Sequence, residues 1–284
     1  APRWTAWMQR WPNPADLAAA EPADVITQWD RLGYPRRALR LRECAIAIVT
    51  LHASEVPEDY TSLVALPGIG DYTASAVIAF AFGKRALVLD TNVRRVAARV
   101  FTGIANHPPH VTAAERAAID AVTPAEHQSS GETPNNGVAG INEMPKPHAS
   151  RGKVTPRPHT PSRAAAFAQG LMELGAVLCR PKPLCEACPL QKSCAWRAAG
   201  YPEAAHAARR PQAFTGTDRQ ARGVAMQILR DTATAVTADV IHAAWHDFSQ
   251  MERALHSLVS DGLAEKTAAG DFHLPGRSPQ QSRD

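Results

Sequence analysis

Four of the five cysteines stand within a single short stretch, spaced Cys179-x5-Cys185-x2-Cys188-x5-Cys194. Pro181, Pro183 and Pro189 interrupt that stretch, so it cannot run on as a helix or lie inside a sheet. A loop of this kind has no core in which to hide free thiols. Four thiolates at short spacings suit a tetrahedral zinc ion or a [4Fe–4S] cluster instead. Two x2 knuckles would favour zinc, and only one is present. No secretory leader is expected, and on that reading metal ligation is favoured over a disulfide framework. Cys44, alone between Glu43 and Ala45, reads as a core residue of a helix.

The rest of the chain predicts a mainly all-α protein. Ala-rich stretches with apolar residues at helical spacing recur, whereas alternating Val/Ile/Thr patterns are few. Helices are predicted over 14–29, 36–52, 60–66, 73–82 and 91–101, with Ala86–Leu89 extended. Another runs from Ala164 into Cys179. No apolar run approaches the roughly 18 residues of a membrane span, so a cytoplasmic protein with no membrane partner is expected. Lys and Arg outnumber Asp and Glu by 31 to 27, a net charge of +4 that permits nucleic-acid binding without demanding it.

Composition divides the chain. Residues 1–123 read as one helical core, and 124–161 as a disordered insertion too rich in Pro, Ser, Asn and Gly to offset its chain entropy. Residues 162–200 carry a helix and the cysteine loop, followed by a linker over 201–214. Residues 215–275 show three helices and a hairpin turning at Gly270-Asp271, the order of a winged helix. A disordered tail, 276–284, follows. The chain opens on Ala1 rather than Met, so its amino terminus is expected to be processed, truncated or mis-assigned.

Leu66-Pro67-Gly68-Ile69-Gly70-Asp71-Tyr72-Thr73-Ala74 predicts a tight helix–hairpin–helix. Its glycines allow positive φ and close backbone approach to a phosphate, and the amides of the following helix start can bind that anion. Twenty residues beyond Gly70 stands Asp90, in Leu89-Asp90-Thr91-Asn92-Val93-Arg94-Arg95. An aspartate placed there would ordinarily be a helix N-cap.

Hairpin and aspartate, in this order and spacing, resemble the core of the HhH-GPD DNA glycosylases. The cysteine loop resembles that of endonuclease III and MutY glycosylases, with a first gap of five residues where six is usual. Leu32-Gly33-Tyr34-Pro35-Arg36-Arg37-Ala38 is similar to a MutY segment, departing at Pro35. Within this superfamily the lyases carry a nucleophilic lysine where this chain has Tyr72. Without that amine there is no Schiff base, and tyrosine at this position points to the MutY-type adenine glycosylases.

The resemblance implies a [4Fe–4S] cluster on Cys179, Cys185, Cys188 and Cys194. It makes Asp90, with Tyr72 beside it, the catalytic pair. Pro67, Gly68, Ile69, Gly70, Thr73, Arg36, Arg37 and Arg94 become the DNA-binding set. The partner would be double-stranded DNA carrying A:8-oxoguanine or A:G mispairs, bound by a monomer associated with the nucleoid. The family's catalytic glutamate, in a Glu-x-Met-Leu-Gln-Gln-Thr helix, has no match here, so the chain as written is expected to excise adenine slowly or not at all. It is also expected to lack a Nudix-like carboxy-terminal domain. The alternatives are an endonuclease III-like pyrimidine glycosylase, a non-catalytic DNA-binding iron–sulfur protein, and a zinc-binding regulator built on the carboxy-terminal module.

Overall fold

Proline and asparagine punctuate the first helices of the computed structural model, which describes residues 2–125, 161–204 and 214–277. After α1 (Pro2–Arg10), the Asn13 side chain accepts from Asp16 N at 2.9 Å and starts α2 (Pro14–Ala18). Pro22 then opens α3 (Pro22–Trp29). One helix was expected over 14–29, but proline has no N–H to continue α2 and suits only a first turn. Next come α4 (Arg36–Leu51), α5 (Tyr60–Ala65), α6 (Asp71–Phe80) and α7 (Thr91–Thr102). The segment Ala86–Leu89 joins no sheet among the described residues. Then follow α8 (Ala113–Val122), α9 (Arg163–Val177), a 3-10 turn at Cys185–Ala187, and α10 (Ala195–Ala198). The last elements are α11 (Asp218–Asp231), α12 (Ala238–Ala243), α13 (Phe248–Ser260), β1 (Glu265–Lys266) and β2 (Phe272–His273). Apart from its ends, the insertion expected over 124–161 lies outside the described residues, as does much of the linker and the tail.

The described residues fall into two compact units. One gathers Ala1–Pro57, Ala65–Ile69 and Arg209–Asp284; the other gathers Glu58–Val64 and Gly70–Ala208. In the first unit, β1 and β2 pair antiparallel, and Val236 adds a bridge to Phe272, so the order is helix, bridge, helix, helix, hairpin. This is not the separate module expected over 215–275. Ala23 and Ile26 of α3 share one buried cluster with Met226, Leu229, Ile241, Met251, Leu255 and Leu274. A piece of some sixty residues buries little apolar surface alone, and α3 completes its core. Nor does the tail begin at 276: the Arg277 guanidinium donates to Leu229 O at 3.2 Å and also to Thr232 O.

In the second unit α7 is the central rod. Val93, Val96 and Val100 pack on Leu171 of α9, with Leu174, Leu190, Cys179 and Cys194 against the same cluster. Ala97 faces Ile119 of α8, a helix that periodicity did not predict. A Cβ at Gly175 of α9 would stand 2.7 Å from Asn92 Cβ, so glycine is what lets α9 close on the amino end of α7.

Candidate active site and cysteine pocket

Asp90 is the N-cap of α7. Its Oδ1 accepts from Val93 N at 2.6 Å and its Oδ2 from Asn92 Nδ2 at 3.0 Å, so both carboxylate oxygens are oriented by the helix they cap. Asn92 in turn accepts from Arg95 Nη2 at 2.7 Å. The same guanidinium donates to Gly175 O at 2.8 Å and, through Nε, to Cys179 O at 2.7 Å. A continuous chain of hydrogen bonds therefore joins the carboxylate to the backbone of the first cysteine. Burial, then the neighbouring Arg99 charge, lowers the Arg95 guanidinium from its ordinary value.

The phenol of Tyr72 lies within the field of Asp90. Burial first and the Asp90 charge second raise its pKa, so the hydroxyl keeps its proton at neutral pH.

At the hairpin, Ile69 N closes the turn on Leu66 O at 3.1 Å. Gly68 has φ +77°, and a Cβ there would meet Arg40 Cβ at 2.8 Å, so it requires glycine twice over. Gly70 does not: its φ is −99° and its Cβ position faces open space. Its smallness leaves room at the start of α6, where the first amides have no partner within the helix. Asp71 accepts from the Tyr60 hydroxyl at 3.0 Å and from Arg116 Nη2 at 2.6 Å.

The three arginines expected to hold phosphates differ. Arg36 and Arg37 are exposed on α4, with Arg36 3.3 Å from Asp261. Arg94 is buried and forks onto Glu115 with two bonds of 2.7 Å, its Nη2 also reaching Pro108 O at 2.9 Å. Its donors serve the interior, because the helical position one turn past Asp90 faces α8 and not solvent.

All four expected cysteines line one pocket, together with Arg99, Leu174 and Trp196. Cys188 N closes a turn on Cys185 O at 3.1 Å, and burial raises the Cys188 thiol pKa. Among the described residues no three Cys, His, Asp or Glu side chains converge as a ready single-ion site. Asn92, Arg95, Arg99 and Gly175 were missed from sequence. The first two stand in the same run as Asp90, but the carbonyls that Arg95 takes lie some eighty residues away.

The HhH-GPD superfamily base excision DNA repair protein model matches residues 1–119. The adenine DNA glycosylase of Mycobacterium tuberculosis H37Rv is 42% identical over 275 residues, covering 96% of this chain and 79% of that protein. The chain belongs to the adenine DNA glycosylases. The enzyme of Mycolicibacterium smegmatis is 41% identical over 277 residues, covering 97% of this chain and 81% of that one. The human adenine DNA glycosylase is 32% identical over 67% of this chain and 29% of its own. A thermostable thymine-DNA glycosylase structure superposes with a TM-score of 0.51 at 23% identity, covering 70% of this chain and 76% of that one. A trapped endonuclease III–DNA covalent intermediate gives 0.50 at 18% identity, covering 71% and 77%. These structures share the fold. The protein is thus a base excision repair glycosylase acting on adenine, and no helix among its described residues is long and apolar enough to cross a membrane.

Proposed function

We propose that this glycosylase removes adenine lying opposite 8-oxoguanine or guanine in duplex DNA, by hydrolysis of the N-glycosidic bond at Asp90. The observation that carries the reading is Tyr72 in the field of Asp90, at the position where lyase relatives hold an amine. A phenol cannot form the Schiff base that strand cleavage needs. The adenine is first flipped from the stack, at a cost of a few kcal/mol that is lower at a mispair. As the base departs, the sugar gains oxocarbenium character, and the fixed Asp90 carboxylate stabilises or bonds to it. The proton on adenine comes from a carboxylic acid, which in the family is the glutamate of the Glu-x-Met-Leu-Gln-Gln-Thr helix.

Pro67–Thr73 would hold backbone phosphate through the amides of Gly68, Ile69 and Gly70 and the Thr73 hydroxyl. Within the first unit, Arg36 and Arg37 of α4 are exposed cations open to a phosphate. The exposed Arg36–Asp261 pair is worth little, so a phosphate can take the arginine from it. The enzyme works as a monomer at the nucleoid. Replacing Tyr72 by Lys is expected to add strand nicking that needs no alkali, together with borohydride-trappable DNA. A variant that releases adenine but never nicks or traps would mean that residue 72 does not face the sugar.

The cysteine pocket suits a [4Fe–4S] cluster: all four cysteines line it, alongside Leu174, Trp196 and Arg99. Cys179, Cys185, Cys188 and Cys194 would hold it. When bound, the group supplies four iron–thiolate bonds that cross-link a loop with little core of its own, and a centre able to take up an electron. Purified protein should be brown, with four irons and four sulfides expected per chain. Cys185→Ala should lose iron and solubility together, because ligation supplies folding energy to such loops. Stoichiometric zinc and no iron on elemental analysis would overturn this assignment.

A further inference from the structure

Among the described residues of the second unit, Arg99 is the most enclosed cation, with 3% of its surface exposed. It leaves α7 two turns after the residues that hold Asp90 and enters the wall of the cysteine pocket. Its Nε donates to Ala105 O at 2.9 Å, its Nη1 to Arg180 O at 2.7 Å, and its Nη2 to Pro181 O at 3.3 Å. Those carbonyls belong to the loop just after the first cysteine and to the turn after α7. Nη1 also lies 3.5 Å from Cys179 Sγ, and Cys194 Sγ lies 3.6 Å from the Arg99 carbonyl. The Trp196 ring covers the guanidinium at 4.7 Å. One residue therefore touches the first and last cysteines, and its charge is screened from water by an indole.

A buried cation normally sits beside an anion. Among the described residues its acceptors are three neutral carbonyls and the Cys179 sulfur, so the cysteine sulfurs are the groups in contact with it that can carry a balancing charge. Metal-bound sulfurs would balance it. We infer that Arg99 is a positioning residue for an iron–sulfur centre on the four cysteines, its fork fixing the Cys179 loop and its charge offsetting the thiolates. This rests on the cofactor assignment above. Hydrogen bonds to ligating sulfur and nearby net charge both set the potential of such a centre. An N–H donor or a cation there favours the reduced, more negative form. Lysine keeps the charge but lacks the planar fork that serves three carbonyls and a sulfur together.

The test uses the whole chain, purified without oxygen, as wild type, Arg99→Lys and Arg99→Gln. Iron and sulfide are counted, bleaching by EDTA is timed, and the midpoint potential is titrated with dithionite. Circular dichroism reports folding. Arg99→Gln should bleach about tenfold faster and shift its potential to more negative values. Arg99→Lys should bleach faster than wild type while staying near the wild-type potential, a split that loss of packing alone would not produce. If Arg99→Gln fails to fold, the Lys variant decides through its bleaching rate. Folded Arg99→Gln at the wild-type potential, or Arg99→Lys bleaching at the wild-type rate, overturns the inference. Wild type without iron sinks the cofactor assignment as well, whereas iron retained with unchanged behaviour in the variants sinks this inference alone.

Discussion

Glu115→Ala is expected to destabilise the protein by about 3–5 kcal/mol, the cost of leaving one member of a buried ion pair without its partner. The Arg94 and Glu115 side chains are 8% and 11% exposed, and both carboxylate oxygens of Glu115 are used by Arg94. Removing Glu115 leaves the guanidinium with Pro108 O as its remaining acceptor, away from water. A total stability of about 5–15 kcal/mol is usual for a domain, so the loss is a large fraction of it. The pair itself need not be a net gain, because taking two charges out of water costs nearly what their attraction returns. Arg94→Met together with Glu115→Leu should therefore be far milder than Glu115→Ala alone. Denaturant melts of the three variants measure this. Equal losses in single and double variants would mean that Arg94 reaches water once Glu115 is gone, and that it was available to phosphate after all.

Asp90→Asn should separate two roles of one side chain. Asparagine caps helices about as well as aspartate, so the bond to Val93 N survives and stability should change by no more than about 0.5 kcal/mol. The negative charge is lost, and with it, on the proposed mechanism, the stabilisation of the sugar cation. Adenine release should fall by about 10²–10³-fold or more, the scale of removing one preorganised electrostatic group. Asp90→Ala should lose the cap as well, costing roughly a further 1 kcal/mol of stability. The comparison is single-turnover release by wild type and the variants, alongside melting curves. A variant with normal release and lowered stability would reduce Asp90 to a cap.

The candidate site was more legible in the sequence than the architecture around it. Asp90, Tyr72 and the four cysteines are marked by spacing along the chain, because a hairpin, a helix start and a ligand loop are local structures. The long helices α4, α6, α7 and α9 were legible for the same reason: one apolar face repeats over several turns. The break at Pro22 was also written in the sequence, but apolar spacing continued across it and outweighed the proline. Arg94 was misread because a charged residue beside a catalytic motif looks like a surface. Its burial depends on Glu115, 21 residues on, and on α8, which has too short an apolar stripe to announce itself. Arg95 and Arg99 take carbonyls some eighty residues ahead, beyond any local pattern. The carboxy-terminal residues looked independent because their own periodicity is complete, and only packing shows that α3 fills their core.

The measurement closest to the central claim is product analysis in a single turnover on duplexes carrying one labelled adenine opposite 8-oxoguanine. Free adenine should appear with an intact abasic strand that breaks only in alkali, and adenine opposite thymine should be released far more slowly. Release of an oxidised pyrimidine in its place, or nicking without alkali by the protein with Tyr72 unchanged, would contradict it.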